Sequence, residues 1–209
     1  MNYRVWVLAL LWWMPGWALA GSCTVLIVGD SLSSGYGLAA GQSWVDLLGA
    51  RMKKAAPQWQ VINASVSGDT TQNGLQRLQP ALDRHAPQGV LIELGGNDAM
   101  RGTPPAVIRQ NLVTLIRQAK AAGAWVALLE APVLPNYGRP YADAVAKLYG
   151  EVARAEKITR VPCFVCGVGV KSGLMQADGI HPNEKAQSQM LDVVWPYIKP
   201  KLRCPAKQP

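Results

Sequence analysis

The chain has 209 residues, 49% of them hydrophobic and 16% charged, and its formal net charge is +8. That balance excludes a disordered chain and suits one domain with one sizeable core. The cations are spread along helical segments rather than gathered in a run, which excludes a nucleic-acid-binding arm and favours a solvated surface over an anion-binding one.

Residues 1–20 read as a cleaved signal peptide. Arg4 supplies a basic start, Val5 to Met14 is almost uninterruptedly apolar, and Ala18-Leu19-Ala20 offers small residues where a signal peptidase reads. The apolar run is shorter than the ~20 residues of a spanning helix, and Pro15 and Gly16 interrupt it. A lipid anchor on Cys23 is the weaker alternative, because the residues before it lack the usual leucine three positions upstream. The expectation is a periplasmic or secreted protein whose single domain covers 21–209. Loss of Arg4 lowers the net charge by one unit.

Beyond that point short apolar runs alternate with helical segments. Strands are predicted at Cys23–Val28, Gln60–Asn63, Gly89–Leu94, Trp125–Glu130 and Val161–Val165, most of them continuous apolar runs of the kind buried on both faces. Helices are predicted near Ser43–Ala55, Thr70–His85, Pro105–Ala122, Tyr141–Lys157 and Asn183–Leu202. In the third, Val107, Ile108, Leu112, Leu115, Ile116 and Ala119 recur at helical spacing, and Gly123 stops it. The fold class that follows is α/β, a three-layer α/β/α sandwich on a mostly parallel five-stranded sheet, flavodoxin-like. Ligands of such folds bind outside the carboxyl ends of the strands, so the loops after each strand carry the functional information.

The first of these loops is Gly29-Asp30-Ser31-Leu32-Ser33, which sets a serine on a strand-to-helix turn beside a glycine that permits a tight backbone. By itself this is ordinary turn chemistry. The G-x-S-x-G elbow of α/β-hydrolases is absent, since Ser33 stands in place of its second glycine. The second loop contains Ser67-Gly68-Asp69-Thr70-Thr71-Gln72, a helix start with Asp69 as N-cap and Gln72 as its capping-box partner. Gly68 there can present a free backbone N–H. The third, Gly95-Gly96-Asn97-Asp98, brings the backbone close and follows it with an amide. Near the end comes Asp178-Gly179-Ile180-His181-Pro182. A carboxylate three residues before a histidine on a turn can hold Nδ1–H and leave Nε2 to take a proton from a serine. The other histidine, His85, lies at a polar helix end and reads as a surface residue.

The blocks GDSL, SGDTT, GGND and DGIHP, in this order and at strand ends, resemble the SGNH (GDSL) hydrolases over roughly residues 24 to 200. The closest subgroup is the periplasmic acyl-CoA thioesterase I, lysophospholipase and arylesterase group. The resemblance implies Ser31 as nucleophile, His181 as base, Asp178 as its orienter, and an oxyanion hole from the Ser31 and Gly68 N–H groups and the Asn97 amide. Its substrates would be small-molecule acyl esters or thioesters; if the positive charge is used, acidic lipid headgroups or the phosphates of an acyl carrier suit it better than DNA. It implies a weaker, substrate-binding role for Leu134 and Tyr137 in the loop after the fourth strand, which Pro132 and Pro135 stiffen. Cys163, Cys166, Gly167, Gly169 and Gly173 are atypical of the subgroup. No cofactor is expected. Asp30, Glu93 and Asp98 are cation-ligand types, but their motifs already have a backbone-shaping explanation, so no metal is expected. Two rivals stand beside this reading: a carbohydrate O-acetylesterase of the same fold, and a flavodoxin-like binding protein, which leaves the Asp178–His181 pair unexplained.

Four cysteines allow three pairings. Cys163 and Cys166 fall in a strand-like apolar run, and in an extended strand residues three apart lie ~10 Å apart, too far to bridge without a turn. Cys23 opens the first strand and Cys204 follows the last helix, so a clasp between the chain ends is the preferred pair.

Overall fold

Strand β1 (Cys23–Gly29) is buried along its whole length, because it is flanked on both sides within the sheet and covered on both faces. The computed structural model describes residues 23–132, 138–169 and 171–204. The signal peptide expected at 1–20, and Leu134 and Tyr137, lie outside the described residues. The other strands are β2 (Trp59–Asn63), β3 (Gly89–Glu93), β4 (Trp125–Leu129) and β5 (Thr159–Val161). All pairings are parallel and the order is β2-β1-β3-β4-β5. The order reverses direction at β1, so the crevice beyond the ends of β1 and β3 is where this topology places a ligand.

Alternation along each strand feeds two cores. Val25 and Ile27 of β1, Leu91 of β3 and Ala127 and Leu129 of β4 face α2 (Trp44–Ala55) and α8 (Gln187–Ile198), whose Trp44, Leu48, Met52, Met190 and Val194 are all completely buried. Leu26, Val28, Val90, Ile92, Val126 and Leu128 face the opposite way, onto α3 (Thr71–His85), α5 (Pro105–Ala121) and α6 (Arg139–Ala155). The apolar stripe read from α5 supplies Ile108, Leu112, Leu115, Ile116 and Ala119 to this second core. Val107 belongs to its solvent side.

The departures from expectation are local. The fifth strand lies earlier than predicted and ends at Val161, because Pro162 cannot donate to a ladder. The chain therefore turns, and Cys163 and Cys166 come to a Cα–Cα distance of 5.5 Å and form a disulfide, where an extended strand had been expected to keep them apart. The Cys23–Cys204 clasp is also present, with Cα atoms 6.0 Å apart. Helix α3 is capped by Thr70 and Asn73, which close a reciprocal box, one residue on from the expected Asp69 and Gln72. Asp69 is not available for the cap, because its carboxylate is held by the Arg77 guanidinium. The last helix starts at Gln187 rather than Asn183 and ends in a 3₁₀ turn, Lys199–Lys201. Three further helices, α1 (Ser31–Ser34), α4 (Gly96–Met100) and α7 (Cys166–Gly169), are too short for any hydrophobic period to reveal.

Candidate active site

Two of those short helices grow directly from the ends of β1 and β3 and carry site residues. Asp30 caps α1, its Oδ1 accepting the Leu32 N–H at 3.0 Å, which sets Ser31 as the first helical residue. The glycine before it serves close approach rather than an unusual dihedral. A Cβ at Gly29 would stand 2.8 Å from Glu93 Oε2 and 2.9 Å from Ser33 Oγ. Gly95, before α4, has φ of 116° and lies against the Tyr149 hydroxyl, where a Cβ would come within 2.1 Å.

His181 Nε2 lies 2.9 Å from Ser31 Oγ, and its Nδ1 lies 2.7 Å from Asp178 Oδ2. The other carboxylate oxygen, Oδ1, accepts the backbone N–H of Ile180 (2.9 Å) and of His181 (3.0 Å). These bonds hold the Asp178 carboxyl at about 2, the His181 backbone N–H first, then its ring, then the Ile180 N–H. The turn itself is tied down. Gln176 N–H donates to His181 O at 2.8 Å, and the Gln176 side-chain amide donates to the carbonyls of Tyr36 and Pro182. The Tyr36 ring lies over the imidazole with centroids 4.6 Å apart. The three residues expected to act together are thus brought into one hydrogen-bonded chain, across 150 positions of sequence between Ser31 and His181.

Of the three expected oxyanion donors, the N–H groups of Ser31 and Gly68 have no acceptor among the described residues. The loop of Gly68 is joined to that of Ser31 by Val66 N–H to Gly29 O (3.0 Å) and by the Ser34 and Ser67 hydroxyls (2.8 Å). Asn97 differs: its side-chain N–H₂ already donates to Asp30 Oδ2 (3.0 Å) and to Asp69 O (2.9 Å). Both amide hydrogens are engaged, so a third acceptor must share one of them.

Beneath Ser31 lies a group that motif reading did not assign. Glu93, fully buried, accepts through Oε2 from Ser33 Oγ (2.7 Å) and from Asp30 N–H (3.4 Å), while Oε1 has no partner among the described residues. Burial, then the nearby Asp30 carboxylate, pushes the Glu93 carboxyl well above its ordinary range. Burial likewise raises Asp30, to about 6, against the opposing pull of the Leu32 N–H, of Glu93, of the His181 charge and of Asn97. Asp98, a cation-ligand type in sequence, instead caps α3 by accepting from Thr71 N–H (2.8 Å) and Oγ1 (2.6 Å). The only available signal for the Asp30–Glu93 pair was an acidic residue closing an apolar strand. It was read as backbone shaping.

A cavity of about 410 Å³ opens from these groups. Asp30, Ser31, Asn97 and His181 form its polar end, and Leu32, Met100, Pro132, Val165, Met175 and Ile180 much of the rest. A serine hydroxyl hydrogen-bonded to an imidazole that is itself held by a carboxylate, with unpaired N–H groups alongside and an apolar cavity beyond, is the constellation of a serine hydrolase on an α/β sheet.

The sequence matches the GDSL-like Lipase/Acylhydrolase family over residues 27–188, and the chain belongs to that family as an ester-hydrolysing enzyme. It is 48% identical to "Esterase TesA" of Pseudomonas aeruginosa over 183 residues, which is 88% of this chain and 91% of that one. It is 40% identical to "Thioesterase 1/protease 1/lysophospholipase L1" of Escherichia coli K12, over 87% and 86% of the two chains. The crystal structure of TesA superposes with a TM-score of 0.82 over 86% of this chain and 99% of that one.

Proposed function

We propose that the enzyme hydrolyses acyl esters and thioesters, of the lysophospholipid, arylester and acyl-CoA type, through an acyl-enzyme on Ser31. Ser31 Oγ attacks the carbonyl carbon while His181 Nε2 takes its proton. Asp178 holds the ring in the required tautomer and stabilises the imidazolium that forms. The N–H groups of Ser31 and Gly68 and the Asn97 amide face the charge developing on the carbonyl oxygen. His181 returns its proton to the departing alkoxide or thiolate. Water, deprotonated by the same imidazole, then releases the acid. The observation that carries this reading is the chain Asp178–His181–Ser31, with links of 2.7 and 2.9 Å, at the polar end of an apolar cavity of about 410 Å³.

Contact with a lipid surface is supported by Met100 and Ile180, which line the cavity and are 37% and 46% exposed, as apolar side chains at the mouth of a lipid-binding site would be. Export after cleavage of residues 1–20 is supported by the order of basic, apolar and small residues in that segment and by two disulfides, a bond type that persists in oxidising compartments. The test combines p-nitrophenyl esters from acetyl to palmitoyl with palmitoyl-CoA and a lysophospholipid, together with fluorophosphonate labelling. Labelling that vanishes in Ser31→Ala is expected. Activity confined to acetyl esters would transfer the enzyme to the carbohydrate O-acetylesterase reading, and labelling that persists in Ser31→Ala would remove Ser31 as nucleophile.

A further inference from the structure

The Cys163–Cys166 disulfide plays no part in the proposed reaction, yet it sits in the wall of the reaction cavity. The segment that carries it leaves β5 at Val161 and is rooted on one side. Phe164, 1% exposed, packs edge-on against Trp44 at 5.4 Å, and Val168 is buried with it. Cys163 N–H donates to Glu130 Oε2 at 3.1 Å. The other side is open, with Cys166, Gly167 and Gly169 exposed. Of these, Cys166 and Gly169, together with Val165, line the cavity that Ser31 and His181 also line.

Neither Gly167 nor Gly169 has positive φ, and a Cβ placed on either meets nothing within 4 Å. The backbone therefore does not require glycine at these positions. What glycine contributes is room in the cavity at 169 and looseness in the segment, since glycine has the most conformational freedom to lose. A disulfide with a sequence separation of 3 immediately precedes them, and such a ring removes freedom from the turn that holds this wall.

We propose that the Cys163–Cys166 disulfide and Gly169 together determine which acyl groups the enzyme accepts, the bridge fixing the far wall of the cavity and the glycine keeping it deep. This rests on the reading of Ser31 as an acyl-enzyme nucleophile and of the cavity as its acyl site. On this proposal short acyl groups end near Ser31, and longer ones extend along the wall that Val165, Cys166 and Gly169 help to form. Opening the bridge by exchange with a dithiol, which is oxidised to its own disulfide as the two cysteines become thiols, frees the wall. The exposed Cys166 makes this bridge the accessible one, whereas Cys23 of the other is buried.

The test measures kcat/KM for p-nitrophenyl acetate, butyrate, octanoate and palmitate on oxidised wild type, on Cys163→Ala/Cys166→Ala and on Gly169→Leu, with a thermal melt of each. Acetate hydrolysis is the internal reference against which the longer esters are read in each variant. In the double variant the palmitate-to-acetate ratio falls roughly 5-fold, because a freed wall must be ordered by the substrate. In Gly169→Leu it falls at least ~10-fold, since a filled pocket rejects the longer group by this order. Should the double variant not fold, Gly169→Leu alone decides. If wild type is active and neither variant changes the ratio, or all four esters fall together, the inference is overturned. A wild type inert to every ester and unlabelled by fluorophosphonate overturns the acyl-hydrolase reading, and the inference with it.

Discussion

The two disulfides differ sharply in the length of chain they enclose, and their removal should reflect it. Cys23 and Cys204 are separated by 181 positions. In the chain-entropy model a cross-link removes about 2.1 + 1.5R ln n cal/mol/K from the unfolded ensemble, which for a loop of this length is roughly 5 kcal/mol at 25 °C. The same expression gives only about 2 kcal/mol for the four-residue ring of Cys163 and Cys166. The folded ends need no bond to stay in place. Cys23 is paired in register with Trp59, its N–H donates to Gln58 O at 2.8 Å, and Leu202 is 8% exposed beside it in the core. Cys23→Ala/Cys204→Ala, which avoids burying a hydroxyl, should therefore act on the unfolded chain and lower Tm by roughly 10–20 °C for a domain of this size. Activity at 25 °C should persist, because Cys23 opens the seven-residue β1 and Ser31 follows its other end, about 20 Å away at strand rise. Thermal melts with and without reductant, beside urea titrations, provide the assay. A fall in Tm of under ~3 °C would refute the entropic reasoning, as would loss of activity at 25 °C in a variant that remains folded.

Asn97→Ala should lower kcat by ~10²–10³ with little change in KM, as removal of one oxyanion donor does; a KM effect alone would place Asn97 in ground-state binding. Asp30→Asn opposes one amide group to another at the Asn97 contact and should lower kcat while the thermal melt shows an intact fold. Glu93→Gln replaces the raised carboxyl with a group that cannot ionise. A carboxyl raised in the folded state supplies stability below its unfolded value, and that stability is lost as pH rises toward its folded one. The variant lacks this loss, so its stability relative to wild type should increase as pH rises above the ordinary glutamate range in urea titrations, and the opposite slope would contradict a raised Glu93. Asp178, held at about 2, stays ionised throughout the assay range, so an acid limb of kcat/KM above pH 4 should survive unchanged in Asp178→Glu.

The sequence announced the strand-end loops because each breaks an apolar run with glycine and polar residues, a contrast that local reading detects. Gly68, Asn97, Asp178 and His181 were legible for that reason, as was Ser31. Asp69 reads as a cap because capping rules do not contain its partner, the Arg77 guanidinium, which donates to its carboxylate from two turns into the same helix. Glu93 was undervalued because its meaning depends on what is stacked above it, Ser33 and Asp30, sixty positions and more away. The 163–166 turn was missed because its residues are as apolar as a strand, and only Pro162 hinted that the ladder stops. Leu134 and Tyr137 lie outside the described residues.

The bond between Ser31 and His181 also bears on how the protein is made. Among the described residues all five strands end by Val161, so every strand residue is synthesised before the imidazole. Gln187 and the helix it begins dock against Trp44, whose backbone N–H the Gln187 side chain accepts at 2.9 Å, and this contact joins those of Gln176 in holding His181 at the hydroxyl. A chain trimmed before Gln187 loses with that segment the buried side chains Met190, Leu191, Val194 and Ile198 that cover one face of the sheet, so esterase turnover reports on the docking of the last helix.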